Sequence, residues 1–591
     1  MSTLAQGLLL FILGLSFTLF GMNMMSKGLE RMSGGRLERI LETATATKSR
    51  FPIIGRIKGV LVGSGVTALI QSSSSTTVMT VGFVNAGIMR LEQTVGIIMG
   101  ANIGTTITSW IFALTGIESN AWYVAIFKPS NFSPILALIG IVLLLFFKKQ
   151  KQKDIGTTLV SFAVLMYGMS LMSSTCSQLA DNPIISEVFL SLENPVLGVL
   201  AGAIFTGIIQ ASAAAIGIVQ ALTVTGSITY GAAIPIILGT NIGTCVTAIL
   251  SCVGANKNAK RTAMVHLFFN IIGTIIFLVL FYLLDWIFDF AFLSMPLQSA
   301  DIALVHTVFN VSATLLFLPF GDLLAKAARL IIPDKAEEKE AQTTLLDPRF
   351  LATPAFALQQ CEIVAEKMAR LAKDTLNRSM RMLEQYDAAE ADVILQDEDH
   401  LDRYEDKLGS YLVQISSHHL EDKQRRKVNQ LLHVLSDFER IGDHAVNIMA
   451  LGREMNEKNM HFSEQGTAEL FVCKQAMEEI LELTFTAYLT DDEQMAQRVE
   501  PLEDVIDALI RKMNDHHISR LQDGVCTIEQ GFVYHDLLQN MERVSDHCSN
   551  VAVDLIETKQ QRFNTHGYIL DIKNDEQYGR LVDEYSEKYV L

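Results

Sequence analysis

Behind Gln71 the chain sets Ser72, Ser73, Ser74, Ser75, Thr76 and Thr77 in an unbroken row between two apolar runs, and Gln210-Ala211-Ser212 stands in a second such setting. Hydroxyls and carboxamides are neutral donors and acceptors, and in hydrocarbon each unpaired polar group costs several kcal/mol. At membrane depth such residues read as the lining of a site. Half-helix N-termini there would offer free N–H groups to an anion. Hydroxyl and freed carbonyl oxygens would ligate sodium. No Lys or Arg lies inside either segment, so co-bound cations must balance the anion, and those cations would supply the coupling.

A second kind of chemistry lies far downstream. Asp402/Asp406, Glu439/Asp443, Glu503/Asp507 and Glu542/Asp546 are acid pairs at i, i+4 spacing. On a helix each pair puts two carboxylates on one face within about 6 Å. Like charges that close are destabilising unless a cation bridges them. Oxygen-only ligands favour hard or borderline ions, so iron or manganese is expected over zinc. His444 and His547 point about 100° away around the helix and are left out.

The elements that must position these groups are duplicated. "GVLVGSGVTALIQSSSS" from Gly59 aligns with "GVLAGAIFTGIIQASAA" from Gly198 at a constant offset of 139, and the register runs on to "GANIGTTIT" and "GTNIGTCVT". Between Gly59 and Thr108, 17 of 50 positions are identical, which chance does not sustain without a gap. Each repeat opens with 28 residues, Gly59–Ala86 or Gly198–Thr225. That is too short for two full spans of about 20 residues. It suits a re-entrant hairpin of two half-helices whose tip carries the Gln-x-Ser. In each "NIGT" the Gly is expected to let the helix break, with Asn102, Thr105, Asn241 and Thr244 offering polar groups beside the break.

Charge orients the copies and divides the chain. Basic residues crowd Lys27–Lys58, Lys148–Lys153, Lys257–Arg261 and Lys326–Arg329, whereas Asp181–Glu193 and Asp285–Asp301 are acidic. The positive-inside bias makes the basic stretches cytoplasmic. Three spans, roughly 93–115, 132–147 and 155–175, separate the hairpins, so the repeats are expected to be inverted. Up to Pro333 the chain has 19 basic and 13 acidic residues; beyond it, 28 and 51. A membrane domain, 1–332 (repeats about 59–147 and 198–284), is therefore followed by a linker at 333–345. A gly-poor helical domain spans 346–570, and a tail 571–591. The expected fold class is all-α throughout. An acidic balance makes nucleic acid an unsuitable partner. The seven cysteines have no CxxC spacing, and the N-terminus lacks the basic region and cleavage site of a signal peptide. No nucleophile–base set or P-loop is present, so an enzyme is not expected. The i, i+4 pairs His266/Asn270 and His306/Asn310 read as interhelical hydrogen bonding.

The paired "QSSSS"/"QAS" and "NIGT" motifs, with "AKRTAMVHLFFN" after the second, resemble the sodium/phosphate cotransporter family over about residues 1–330. The resemblance implies a dimer in the inner (plasma) membrane, in contact with lipid, that moves inorganic phosphate with sodium by alternating access. Phosphate would be held by Gln71, Ser72, Ser73, Ser74, Asn102, Gln210, Ser212 and Asn241, and sodium by Ser75, Thr76, Thr105 and Thr244. The family has QSSS in both copies, whereas Ala211 and Ala213 replace two of those serines here. Downstream, "FERIGDHAVNI" and "MERVSDHCSNV" resemble the PhoU family of tandem three-helix bundles. That implies multinuclear metal on Asp402, Asp406, Glu439, Asp443, Glu503, Asp507, Glu542 and Asp546, and a cytoplasmic regulatory role. Other readings stay open at this stage: an efflux route, a carrier of a related oxyanion, or a membrane-anchored phosphate or metal sensor that no longer transports.

Overall fold

The computed structural model describes residues 3–33, 40, 52–116, 128–179, 191–226, 228–333, 346–418, 420, 422–560 and 576–591. Most of the linker, the basic residues between 34 and 51, and Asp181 and Glu187 lie outside them. The chain forms two compact units, Met1–Thr353 and Pro354–Leu591. Both are helical, and among the described residues only an isolated bridge, Thr229 to Pro296, has strand geometry.

The first unit runs α1 Thr3–Ser33, α2 Pro52–Ile70, α3 Ser73–Asn85, α4 Leu91–Ala113, α5 Pro129–Phe146, α6 Gln150–Leu179, α7 Pro195–Ile209, α8 Ser212–Leu222, α9 Tyr230–Ser251, α10 Lys257–Phe288, α11 Ser299–Phe317 and α12 Gly321–Ile331. Seven of these, α1, α2, α4, α6, α9, α10 and α11, are long and apolar enough to cross a membrane. The outward faces of the unit's apolar helices, the shorter α5 and α7 included, are apolar: Leu61, Phe146, Ile208, Trp286 and Phe288 are all more than half exposed. Such faces suit lipid and would be costly in water.

Helices α2 and α3 form the first hairpin, and α7 and α8 the second. The first arm starts at Pro52, a turn and more before Gly59, and its extra residues bring Arg56 to an ion pair with Asp322 and to the carbonyl of Leu318 at 3.1 Å. Each first arm lies parallel to the long helix of its own repeat. Gly96, Gly100 and Gly104 of α4 face the carbonyls of Arg56, Val60 and Ser64, and a methyl group at any of them would fall within 3.0 Å of those oxygens. Gly239 and Gly243 of α9 repeat this against Val199 and Ala203. Small residues every fourth position let the backbones approach closely where no hydrophobic force between helices exists.

Helices α4 and α9 run unbroken through Asn102–Thr105 and Asn241–Thr244, which corrects the expectation of a break at each "NIGT". Gly104 and Gly243 serve close approach instead: a side chain there would collide with Thr67 and Thr206 of the neighbouring arm. The chain breaks at the tips.

Each returning half-helix packs against the other repeat. Val81 of α3 joins Ala248 and Cys252 at the end of α9, and Ala213 and Ile218 of α8 join Phe112 at the end of α4. Gln220 of α8 donates to the carbonyls of Ser109 and Ser299 at 3.0 and 2.9 Å. The open ends of the hairpins thus meet opposite ends of α9. Asn85 bonds Asn256 just beyond Ser251, and Thr229, four residues past Thr225, caps the start of α9.

The second unit contains α13 Pro354–Met382, α14 Ala388–Ser416 and α15 Asp422–Glu457, then α16 Glu464–Thr490, the short α17 Glu493–Ala496, α18 Val499–Gln522 and α19 Ile528–Gln560, and finally α20 Glu576–Lys588. Val434, Phe438, Ile441, Ala445 and Ile448 recur at helical spacing along α15 and are buried, with Leu537, Met541, Val544 and Cys548 on α19. The α13–α15 set and the α16, α18, α19 set each close around such a stripe, and α15 packs along α19.

The glycine rows carry a clear expectation. Gly100→Ala or Gly239→Ala should destabilise the first unit by about 1–3 kcal/mol through overpacking. Gly65, on the same α2 arm with nothing near its absent Cβ, should tolerate Ala or gain a few tenths of a kcal/mol from helix propensity. Melting of the detergent-solubilised chain distinguishes the two; equal effects at Gly100 and Gly65 would refute the close-approach argument.

Candidate functional site

Both tips bend by the same device. Gln71 and Gln210 hold left-handed backbone conformations, φ 60° and 59°, and the next residues, Ser72 and Ala211, are extended before the second half-helix begins. A non-glycine residue in this region is strained and persists only where its surroundings over-determine it. Gln71 and Gln210 each donate N–H to the carbonyl four residues back, Thr67 at 2.8 Å and Thr206 at 2.7 Å, which closes the first arm.

In the first tip most hydroxyls are bonded to one another or to Gln71. Ser72 Oγ accepts the N–H of Ser75 at 3.2 Å and lies 3.0 Å from Ser75 Oγ, capping α3. Thr67 Oγ1 bonds Thr76 Oγ1 across the hairpin at 3.0 Å, and Thr108 Oγ1 donates to Gln71 Oε1 at 2.8 Å. Ser73 is buried and Ser74 half-buried, and neither hydroxyl has a partner among the described residues. Their oxygens, with the free N–H groups opening α3, are what this tip can offer a ligand.

The second tip has the same backbone and a different inventory. Ala215 stands where the first copy has Thr76, so Thr206 Oγ1 is buried without a partner among the described residues. Gln210 is exposed, and Thr247 Oγ1, matching Thr108, is likewise unpartnered. Ala211 provides no cap, and Ser212 is buried at the start of α8. Thr67, Thr108, Thr206 and Thr247 were not singled out from sequence. Their signal was the repeat itself, since Thr67/Thr206 and Thr108/Thr247 are identities at the offset.

The "NIGT" residues sit one layer away, on the helices against which the hairpins pack. Asn102 Nδ2 donates to Asn270 Oδ1 at 3.2 Å and Asn241 Nδ2 to Asn310 Oδ1 at 2.9 Å; His306 Nε2 lies 3.3 Å from Asn241 Oδ1 and its Nδ1 2.9 Å from Ser109 Oγ. Asn270, His306 and Asn310 thus bond between helices, as expected, whereas His266 Nδ1 is buried without a partner among the described residues. Both ends of the Asn241 amide are engaged. Thr105 and Thr244 donate to the carbonyls of Ala101 and Thr240, leaving their oxygen lone pairs as acceptors.

In the second unit two acidic groups come together at matching places. Glu398, Asp402 and Asp443 have carboxylate oxygens within 4.8 Å of one another, and so do Glu503, Asp507 and Asp546. Glu398, which sequence reasoning passed over, replaces Asp406 as the partner of Asp402. The overlooked signal was its Glu-xxx-Asp spacing, shared with Glu503/Asp507. Glu439 and Glu542 flank the groups without belonging to them. Burial, with Asp443 and Glu405 close by, pushes Glu439 up to about 7; burial, with Glu500 and Asp507, pushes Glu503 up to about 8. Asp402 and Asp507 are raised by burial and by neighbouring acids as well. Arg440 lies 3.6 Å from both Glu439 and Asp443, and Arg543 3.2 Å from Asp546, so the negative charge is compensated only in part, which suits a cation bound by oxygen.

Comparison with known proteins follows the same division. The family model described as Na+/Pi-cotransporter matches residues 17–174 and again 164–301, and the model described as PhoU domain matches 365–451 and 474–555. The chain is 25% identical over 563 residues to "Putative inorganic phosphate export protein YjbB" of Salmonella typhimurium, covering 94% of this chain and 98% of that one. It is 29% identical over 140 residues to sodium-dependent phosphate transport protein 2B of Homo sapiens, 24% of this chain and 19% of that one. Among solved structures, PhoU from Pseudomonas aeruginosa aligns with 34% of this chain and 97% of its own, at 18% identity and a TM-score of 0.33.

The raised carboxyl pKa values set a pH dependence. In the metal-free chain Glu439 and Glu503 keep protons to about 7 and 8 when folded, against an ordinary 4.5, so the folded state binds more protons than the unfolded one over that window. Stability of the second unit should therefore fall as pH rises from about 5 to 8, and manganese should restore it most at the upper end, where ions no longer displace protons. Melting of the full chain with and without manganese measures both. A flat metal-free profile, or rescue that is largest at low pH, would contradict the assignment.

Proposed function

The chain belongs to the Na+/Pi-cotransporter family, with a duplicated PhoU domain behind its membrane half, and from that premise we propose that it is a sodium-coupled transporter of inorganic phosphate. One observation carries the reading. At matched positions in two copies, Gln71 and Gln210 bend the chain left-handed between half-helices, each hairpin resting on a glycine-rowed helix of its own repeat. The repeats act as an inverted pair, and the two tips hold phosphate and sodium between them near mid-membrane. Ser73, Ser74 and the N–H groups of α3 hold phosphate, aided by Gln71, Gln210 and Ser212. Hydroxyl oxygens of Ser75, Thr76, Thr105 and Thr244 are the candidate sodium ligands. Asn102 and Asn241 position the helices behind the tips. Alternating access follows if one repeat rocks against the other around this fixed site.

Two of the relatives support aspects of this reading. Sodium dependence is named for the human relative, and export for the Salmonella one. A symporter runs whichever way the summed sodium and phosphate gradients point, so uptake and export are one machine under different gradients. The working form is a homodimer in the inner membrane with the second unit cytoplasmic. There Glu398, Asp402 and Asp443, with Glu503, Asp507 and Asp546, would hold hard cations such as iron or manganese. A bound ion supplies the positive charge that lets these carboxylates sit together; the residues themselves tie α14 to α15 and α18 to α19.

Proteoliposomes with an imposed sodium gradient test the function. Wild type should move phosphate in the direction of the gradient, and Gln71→Ala or Ser73→Ala should lower the rate by about 10- to 100-fold, the cost of one hydrogen bond to a charged ligand. Sodium-driven transport at full rate in both variants would refute the tip site. Topology is checked separately by single cysteine labels at Lys151, in the first turn of α6, and Asp289, just past α10. They should react from opposite sides of the membrane, with Lys151 cytoplasmic, and reaction from one side would exclude inverted repeats.

A further inference from the structure

The residues just before the second unit close on the first hairpin. Pro348–Ala352 makes a 3₁₀ turn capped by Asp347, whose Oδ1 accepts the N–H of Arg349 at 2.9 Å. Asp347 Oδ2 accepts Asn85 Nδ2 at 2.6 Å and Arg349 Nη1 at 2.7 Å, and Arg349 Nε donates to the carbonyl of Ser251 at 2.6 Å. Phe350 is fully buried, its ring 5.7 Å from that of Phe83 and seated over Gly82. Asn85 is the joint of this cluster. Its Oδ1 accepts the N–H of Asn256 at 2.8 Å and its carbonyl accepts Asn256 Nδ2 at 2.9 Å. The segment therefore ties three things together: the end of α3, the end of α9, and the turn between α9 and α10.

The repeat tells which of these residues are special to the contact. At the 139-residue offset, Gly82, Phe83 and Asn85 correspond to Ala221, Leu222 and Val224. The second hairpin thus has neither the notch nor the amide. A methyl at Gly82 would lie 2.8 Å from Phe350 Cε1. Glycine inside a helix costs roughly 0.5–1 kcal/mol relative to alanine, and the matching Ala221 shows that this helix position accommodates alanine. A linker merely resting on the surface would require neither that glycine nor a buried carboxylate; burying Asp347 is worthwhile only with Asn85 and Arg349 in place.

We propose that residues 347–353 are a latch on the first hairpin. Seated, they hold the returning half-helix α3 to the turn Cys252–Asn256; withdrawn, they free it to move about its Gln71 tip. Because Pro354 begins α13, the second unit governs the hairpin through the chain that joins them. The latch stands on the contacts alone, and its effect on flux rests on the phosphate-transport reading.

Hydrogen exchange of the full chain in lipid nanodiscs tests the latch without any transport. Phe350→Ala should speed exchange in residues 73–89 on the order of a hundredfold, as loss of a buried aromatic does. Gly82→Ala should speed it about tenfold by unseating the ring, although alanine by itself stiffens a helix and would slow exchange. Residues 212–226 of the second hairpin should not change in either variant. Unchanged exchange in 73–89, or equal acceleration in both hairpins, overturns the latch. Flux is then read from Asn85→Cys/Asp347→Cys joined by a short cleavable thiol cross-linker. Phosphate flux should fall at least about tenfold on cross-linking and return on cleavage; cross-linked chains that carry phosphate at the uncross-linked rate overturn its control of transport. A chain without flux before cross-linking rejects the phosphate reading instead, and the exchange result alone then judges the latch.

Discussion

A helix interrupted at membrane depth leaves backbone groups that lipid cannot satisfy, and the first unit is organised around that constraint. Among the described residues such interruptions occur at Gln71 and Gln210, each with a left-handed glutamine and an extended neighbour. They are tolerable only inside protein. The glycine rows on α4 and α9 bring an intact helix close behind each first arm, and the other repeat's helix covers each returning arm. Behind these, the amide pairs Asn102–Asn270 and Asn241–Asn310 register α4 with α10 and α9 with α11. The polar groups that remain unspent at the tips are then few, and the proposed function assigns them to the transported ions.

Duplication made two equal frames, and divergence has given them different duties. The first tip spends its hydroxyls on one another, through Thr67–Thr76, Ser72–Ser75 and Thr108–Gln71. The second has lost the partner of Thr206 to Ala215 and turned Gln210 outward. An unpaired buried hydroxyl costs about 1–3 kcal/mol, so Thr206 and Thr247 do not stabilise the second hairpin as Thr67 and Thr108 stabilise the first. The same asymmetry governs the open ends, where Gly82 and Asn85 in one copy face Phe350 and Asp347 while Ala221 and Val224 in the other cannot.

Much of this architecture was legible in the sequence, because it was written twice. The constant offset of 139 located both hairpins, and residues that bend or pack the chain recur at it: Gln71/Gln210, Gly100/Gly239, Gly104/Gly243. What could not be read depends on partners distant along the chain. A glycine in "NIGT" permits either a break or a close approach, and only the neighbouring arm, with Thr67 or Thr206 against it, decides for approach. Acids at 398, 402 and 406 lie on one helix face, so spacing alone allows two pairings, and the position of Asp443 selects Glu398. Phe350 looks like one of the early apolar residues of the downstream domain, and nothing local announces that its pocket is a missing side chain at Gly82.

On the proposed function the tips hold phosphate only together with sodium, since no basic side chain lies inside either hairpin. Equilibrium binding of radiolabelled phosphate to the purified full chain, with sodium replaced stepwise by choline at constant ionic strength, tests this most directly. Saturable binding should appear with sodium and vanish without it. Phosphate binding of equal affinity in choline would contradict that dependence.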